Sequence, residues 1–280
     1  MADDGGVTAS GLTPRRPSFP FDDGLVAAWN PRLPEFAFAA NSVSLLMPYA
    51  EPYFVRSVRA VLPELDGDLR AQAEDYVRQE ASHHAQHRRF NDVITRGHPF
   101  LQRLERWMGS TYSWLGRTRS TKFNLAFAAG SEAIAYALAR WTEPRLRELF
   151  DGADPVARDL YWWHLAEEVE HKSVAYDVFK QLDGSKLRYT FAMVLSLHLL
   201  GLFTVAATLT MLVSSRRIFH PVAWFRLTKW ALAMVWQVFP DLAVSTLPKH
   251  HPTDFTDPTY LMTWLAMFDP ETATVPALAG

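Results

Sequence analysis

The chain has 280 residues, a formal net charge of −2 and no cysteine, and 49% of its residues are hydrophobic. That length allows one sizeable core or a domain with an extension, and the small net charge gives no electrostatic footprint for nucleic acid. The absence of cysteine excludes disulfides, thiolate-bound zinc, iron–sulfur clusters and a thiol nucleophile, so any metal must be held by oxygen and nitrogen.

Residues 1–20 are rich in Gly, Ser, Thr, Pro and Arg and read as a mobile tail. The acidic start lacks the apolar stretch of a signal peptide, so a cytoplasmic location is the expectation. Residues 21–40 mix aromatics with prolines and read as a short helix or an ordered arm. Residues 41–62 carry helical periodicity. Asn41 or Ser42 would cap them, and Pro48 and Pro52 predict a late start or a kink near Glu51. A turn at 63–68 is followed by a long helix over 69–96. Residues 97–121 look looser, with some helix around 100–108.

Residues 122–148 predict a third bundle helix, with the small-residue run Ala126 to Ser131 just before Glu132. The Asp151-Gly152-Ala153-Asp154-Pro155 step is a turn, and a fourth helix over 156–181 is closed by Asp183-Gly184. Residues 189–213 contain no Asp, Glu, Lys or Arg and are long enough to span a bilayer. Lys186 and Arg188 before them match Arg216 and Arg217 after them, so charge gives no orientation. Residues 219–247 are again apolar, with Trp224, Trp230 and Trp236, and 248–280 are proline-punctuated. The division is therefore a tail (1–20), an all-α four-helix bundle (21–185) and an apolar helical extension and C-terminal tail packed on the bundle (186–280).

Chemistry concentrates on a doubled spacing, Glu80-x-x-His83 and Glu168-x-x-His171. Residues three apart share a helix face. Each pair follows a helix carrying one inward-looking glutamate, Glu51 and Glu132. Glu51 and Glu80 stand at similar distances either side of the first turn, and Glu132 and Glu168 do so about the second, so each hairpin brings its residues to one depth. One such glutamate alone is ordinarily a solvated surface residue. Six residues in the order E, ExxH, E, ExxH are what a ferritin-like bundle needs to hold two metal ions. Four carboxylates gathered in a core repel one another, and two divalent cations offset that charge. Hard carboxylates with one imidazole per metal suit iron, manganese or a mixed pair.

His87 and His164 fall on the same stripes, as candidates for a further ligand or for groups that orient a carboxylate. Their plainer reading is interior histidines satisfied by hydrogen bonds. Tyr76 and Tyr136 lie one turn from Glu80 and Glu132 and would either donate to a ligand carboxylate or serve as core aromatics. Glu167 and Glu170 flank Glu168 and are expected to point away from its stripe, into solvent or towards Arg or Lys. Asn91 extends the His83-His87 stripe and is expected to hold a backbone group or a water.

The stretch from Arg78-Gln79-Glu80-Ala81-Ser82-His83 to Asn91, and the stretch from Trp163-His164 through Glu167-Glu168-Val169-Glu170-His171 to Asp177, resemble a bacterial family described as predicted metal-dependent hydrolases. The Glu51 segment and His251-Pro252 share the resemblance, which covers roughly residues 35–255. It departs at Ala50, where members tend to carry glycine, and at Pro52. The resemblance implies a ferritin-like fold, with metal ligation at Glu51, Glu80, His83, Glu132, Glu168 and His171.

The leading expectation is a di-iron oxygenase or oxidase that activates O2 to oxidise an apolar or lipid-like small molecule, with electrons from a ferredoxin or a reductase. The alternatives are a dinuclear metal-dependent hydrolase and a non-enzymatic iron-binding protein. The apolar extension predicts a buried or dimer-interface helix, a peripheral membrane contact or a span.

Overall fold

A computed structural model describes residues 12–96, 98–269 and 272–273. The chain is all-α, as expected, with no strand among the described residues. The first helical stretch is split into α1 (Pro34–Ser44) and α2 (Met47–Arg59). Pro48 sets the break at Leu45 and Leu46, earlier than the kink expected near Glu51. It fits the first turn of α2, where its missing N–H has no helical partner, but could not sit inside a continuous helix without cost. Pro52, inside α2, removes the donor that would reach the Pro48 carbonyl. Arg88 supplies a substitute, its Nη2 donating to Pro48 O at 3.2 Å.

The long helix α3 (Gly67–Ile94) follows the turn, and α4 (Pro99–Thr118) replaces the loose connection expected over 97–121. Leu101, Met108, Tyr112 and Leu115 form a buried helical stripe that the glycine, serine and threonine of the segment obscured. Gly109 makes room for the Tyr49 ring, which a Cβ there would approach to 3.1 Å. The Ser110 and Thr111 hydroxyls donate back to the carbonyls of Arg106 and Trp107. Then come α5 (Thr121–Thr142), the short α6 (Leu146–Phe150), α7 (Pro155–His171) and α8 (Val174–Leu182). Asp154 caps α7 by accepting from the N–H groups of Val156 and Ala157. The single helix expected over 156–181 is two, parted just after His171. There Lys172 Nζ donates to the Val169 carbonyl, which the Ser173 N–H would take in an unbroken helix.

Four helical units, α2, α3, α5 and α7 with α8, pack on one another as the bundle core. The remaining helices are α9 (Lys186–Ser214), α10 (Pro221–Ser245) and α11 (Thr259–Leu265). Helices α9 and α10 lie against α5 and α1, and α11 lies against α7. A Cβ on Gly130 would stand 2.7 Å from Met193 Cα, so the backbones of α5 and α9 nearly touch there. Two hydroxyl pairs fasten α9 further, Ser131 with Ser196 at 2.7 Å and Ser42 with Thr208 at 2.9 Å. Helix α9 is long and apolar enough to cross a membrane by length and composition, and 33% of its most apolar window is buried. Its outer face exposes Leu187, Phe191 and Val205, and α10 exposes Phe225 and Trp236.

Residues 12–20, expected to be mobile, lie along α3 and α7; residues 1–11 of that tail are outside the described residues. Leu12 and Phe19 are buried, and the Phe19 ring meets Trp163 at 5.7 Å. Gln86 and Arg89 of α3 donate to the carbonyls of Pro17 and Phe19. Two apolar anchors and these donors hold a segment whose composition alone suggested none.

Candidate metal centre

Glu51 comes from α2, Glu80 and His83 from α3, Glu132 from α5, and Glu168 and His171 from α7. The structure brings all six together in the bundle interior, each at most 4% exposed. Glu80 and Glu168 occupy the middle and each faces both histidines. Glu80 Oε1 is 3.6 Å from His83 Nδ1 and 3.4 Å from His171 Nε2, and Glu168 Oε1 is 3.7 Å and 4.0 Å from the same two atoms. Donor atoms of Glu80, His83, Glu168 and His171 lie within 4.8 Å of one another, and Glu51, His83 and His164 form a second such group sharing His83.

Buried polar atoms are ordinarily hydrogen-bonded. Here both oxygens of Glu51, both of Glu80, Glu168 Oε2, His83 Nδ1 and His171 Nε2 are buried with no hydrogen-bond partner. So many unpaired lone pairs converging on one spot are costly unless a cation joins them. The donor set, carboxylate and imidazole without thiolate, fits a divalent metal, hard rather than soft.

Each inner histidine is fixed from behind. His83 Nε2 meets Glu167 Oε2 at 3.0 Å, and Glu167 also accepts from Arg15 Nη1 at 3.3 Å. His171 Nδ1 meets Glu132 Oε2 at 3.0 Å, and the other oxygen of Glu132 accepts from the Tyr76 hydroxyl at 2.7 Å. Of the six residues, Glu132 is the one whose two oxygens are both engaged. A carboxylate behind a histidine leaves the opposite ring nitrogen bare towards the centre, which is how metal-binding imidazoles are commonly oriented.

His164 and His87 continue the network. His164 Nε2 is 2.9 Å from Glu168 Oε1 and its Nδ1 is 2.6 Å from His87 Nε2. His87 Nδ1 meets Ser44 Oγ at 2.7 Å, and Ser44 donates to Asn91 Oδ1 at 2.7 Å. Protons can be assigned from the far end inwards. Ser44, donating to Asn91, accepts from His87 Nδ1–H. His87 Nε2 is then an acceptor, so His164 donates from Nδ1 and keeps an Nε2 lone pair towards the centre. Asn91 donates to the Ser44 carbonyl at 2.8 Å, the backbone-holding role expected of it.

The electrostatics agree with the assignments for His87 and His164, and they hold protons on the inner groups that a cation would displace. Burial first, and the neighbouring carboxylates next, push Glu51 and Glu168 well above the usual carboxylate range and Glu80 above it. Burial acts oppositely on His83, but its bonds to Glu167 and Glu80 outweigh it and hold the imidazole well above its ordinary value. His171 is pushed up to about 9, because Glu168, Glu132 and Glu80 overcome its burial. Burial and the charge on His83 push His87 down to about 3 and His164 well below its ordinary value, so both are neutral.

Two readings of neighbours change. Glu167, expected to turn away, is fully buried and bonded to His83. It sits at the edge of the Glu168 stripe, on the side facing α3. Tyr76 reaches Glu132, but Tyr136 does not; its hydroxyl donates to Asp257 Oδ1 at 2.6 Å. Glu170 pairs with Arg15 at 2.8 Å, as its flanking position suggested. Arg15 itself was hidden by its place in an unpromising tail.

A family model described as "Predicted metal-dependent hydrolase" matches residues 13–255. The chain belongs to that family. No curated protein and no solved structure matches it.

Proposed function

We propose that the chain is a hydrolase with a two-metal centre held by Glu51, Glu80, His83, Glu132, Glu168 and His171. The carrying observation is the set of unpartnered, buried donor atoms converging from α2, α3 and α7, in a member of a family described as metal-dependent hydrolases. Two divalent ions would supply Lewis acidity and lower the pKa of a water for attack on an ester, amide or phosphoester. Glu80 and Glu168, each facing both histidines, would hold the ions together with Glu51, His83 and His171, and Glu132, whose two oxygens are engaged by Tyr76 and His171, would release one of those bonds to join them. The Nε2 lone pair of His164 lies beside Glu168. Tyr76 holds Glu132, Glu167 holds His83, and Arg15 balances the Glu167 charge. The bundle walls keep bulk water from the carboxylates.

One observation favours a second reading, an O2-activating oxidase or oxygenase. The donor set is rich in carboxylate and poor in imidazole, which suits iron or manganese better than zinc. The exposed apolar faces of α9 and α10 support an apolar or lipid-like substrate met at a membrane surface under either reading.

The discriminating experiment loads the full chain anaerobically with Fe(II), Mn(II) or Zn(II). The loaded protein is then assayed against a panel of aryl and acyl esters and phosphoesters, and separately for oxygen uptake. Ester or phosphoester turnover that is lost in Glu80→Ala and needs no O2 supports the hydrolase. Stoichiometric oxygen consumption by the Fe(II) form without hydrolysis would replace it with the oxidase.

A further inference from the structure

We infer that the groove between α2 and α4 is a second binding site, taking a small organic anion with a flat apolar body. A cavity of about 600 Å³ lies there, within the usual size range of ligand pockets. It is separate from the metal centre. Glu51 points into the bundle, whereas Tyr49, Tyr53 and Arg56, which line the groove, fall on the opposite side of the same helix.

Charge is the first reason for an anion. Arg56, Arg117 and Arg119 line the cavity and no aspartate or glutamate does. None of the three forms an ion pair among the described residues. Arg117 donates to the Ser113 hydroxyl, and Arg119 stacks over the Trp114 ring at 4.6 Å. Three cations free of carboxylates are notable in a chain whose net charge is −2. Guanidinium groups favour planar oxyanions, which they can engage with two parallel hydrogen bonds.

The second reason is independent of charge. Tyr112 is 2% exposed, lines the cavity, and its hydroxyl has no hydrogen-bond partner among the described residues. Burial raises its pKa, so it stays a neutral O–H donor. Tyr53, by contrast, donates to Asn124 Oδ1 at 2.8 Å. That bond fixes Asn124, another lining residue, and leaves its amide N–H groups free to donate.

Shape sets the rest of the ligand. Gly109 and Gly116 stand two turns apart on α4 and let the Tyr49 and Tyr53 rings lie close against that helix, so that the rings wall the groove. Two proline rings and the tyrosines make flat, stiff walls, suited to an aromatic or otherwise planar body. The cations are grouped at one short groove rather than strung along a surface, which fits a small ligand better than a polymer.

The test is calorimetric titration of the full chain with phenyl phosphate, with phenol and inorganic phosphate as the arms lacking one feature each. Saturable binding of phenyl phosphate is expected at one per chain, at least ~10-fold tighter than either fragment, since charge and apolar body contribute separately. Arg117→Gln combined with Arg119→Gln should weaken it ~10-fold or more, and Tyr112→Phe severalfold. The arginines are exposed, so their removal leaves the fold intact, which circular dichroism checks. Metal-free protein should bind equally well, because no ligand of the metal centre lines the groove. Failure of the two-metal reading would therefore leave this result standing. The assignment is overturned if phenyl phosphate does not bind, if phenol or phosphate binds as tightly, or if the arginine variant binds unchanged.

Discussion

Glu167 follows Leu165 and Ala166 and stands directly before Glu168, yet the two carboxylates do different work because adjacent residues are turned by about 100° on a helix. Glu168 faces the centre; Glu167 faces the back of His83 and is neutralised in part by Arg15. Glu167→Gln and Arg15→Ala are each expected to weaken metal binding by roughly 10–100-fold, as loss of a histidine's outer partner commonly does. A competition titration against a chromophoric chelator reads this directly, and an unchanged affinity in both variants would deny Glu167 its positioning role. Tyr76→Phe strips Glu132 Oε1 of its donor inside the core and should lower the stability of the metal-free protein by about 1–3 kcal/mol, measured by denaturant unfolding. At this scale the sequence was legible where spacing carries meaning, at Glu51, Glu80, His83, Glu132, Glu168 and His171. It was silent where the partner came from far along the chain, as Arg15 does for Glu167 and Asp257 does for Tyr136.

Helix boundaries show the same division between local and distant causes. Hydrophobic period marked the bundle helices, and Pro48 marked the break between α1 and α2, though five to six residues before where the pattern placed the kink. The helix α4 was obscured because Gly109, Ser110 and Thr111 look like a loop until the Tyr49 ring is seen to fill the gap beside Gly109. The break after His171 rests on a lysine contact that no local pattern announces. Two glycines, Gly130 of α5 facing α9 and Gly201 of α9 itself, separate packing from propensity. Gly130→Ala drives a methyl into the α9 backbone and should cost about 1–3 kcal/mol, the usual scale of overpacking. Gly201→Ala, in α9 with nothing within 4 Å of the new Cβ, should instead stabilise by up to about 1 kcal/mol through helix propensity. Thermal unfolding of the pair tests whether α9 is seated on α5. Equal effects would mean that it is not.

For the whole molecule, the buried cluster ties folding to protons and to metal. His171 has its folded value raised to about 9 from 6.5, and His83, Glu51, Glu80 and Glu168 are raised as well. A raised group binds more protons in the folded than in the unfolded state, so its stabilisation is present at low pH and lost as pH rises through the folded value. His87 and His164 are lowered and are neutral in both states above about pH 7, so they do not oppose the trend there. Metal-free protein should therefore lose stability between about pH 7 and 9, on the order of 3 kcal/mol from His171 alone. Metal affinity should rise over the same interval, because protons and cations compete for the same lone pairs; chemical unfolding with and without metal reads both. All-α architecture and the convergence of the six side chains were legible from periodicity and turn positions. The seating of residues 12–20 was not, since it depends on surfaces that exist only once the bundle has formed. The most direct test of the central claim is elemental analysis of the full chain after anaerobic metal loading and desalting, beside Glu80→Ala and His171→Ala. Two metal ions per wild-type chain, and sharply fewer in both variants, is the predicted result. A folded wild-type chain that retains no divalent metal under any loading condition would contradict it.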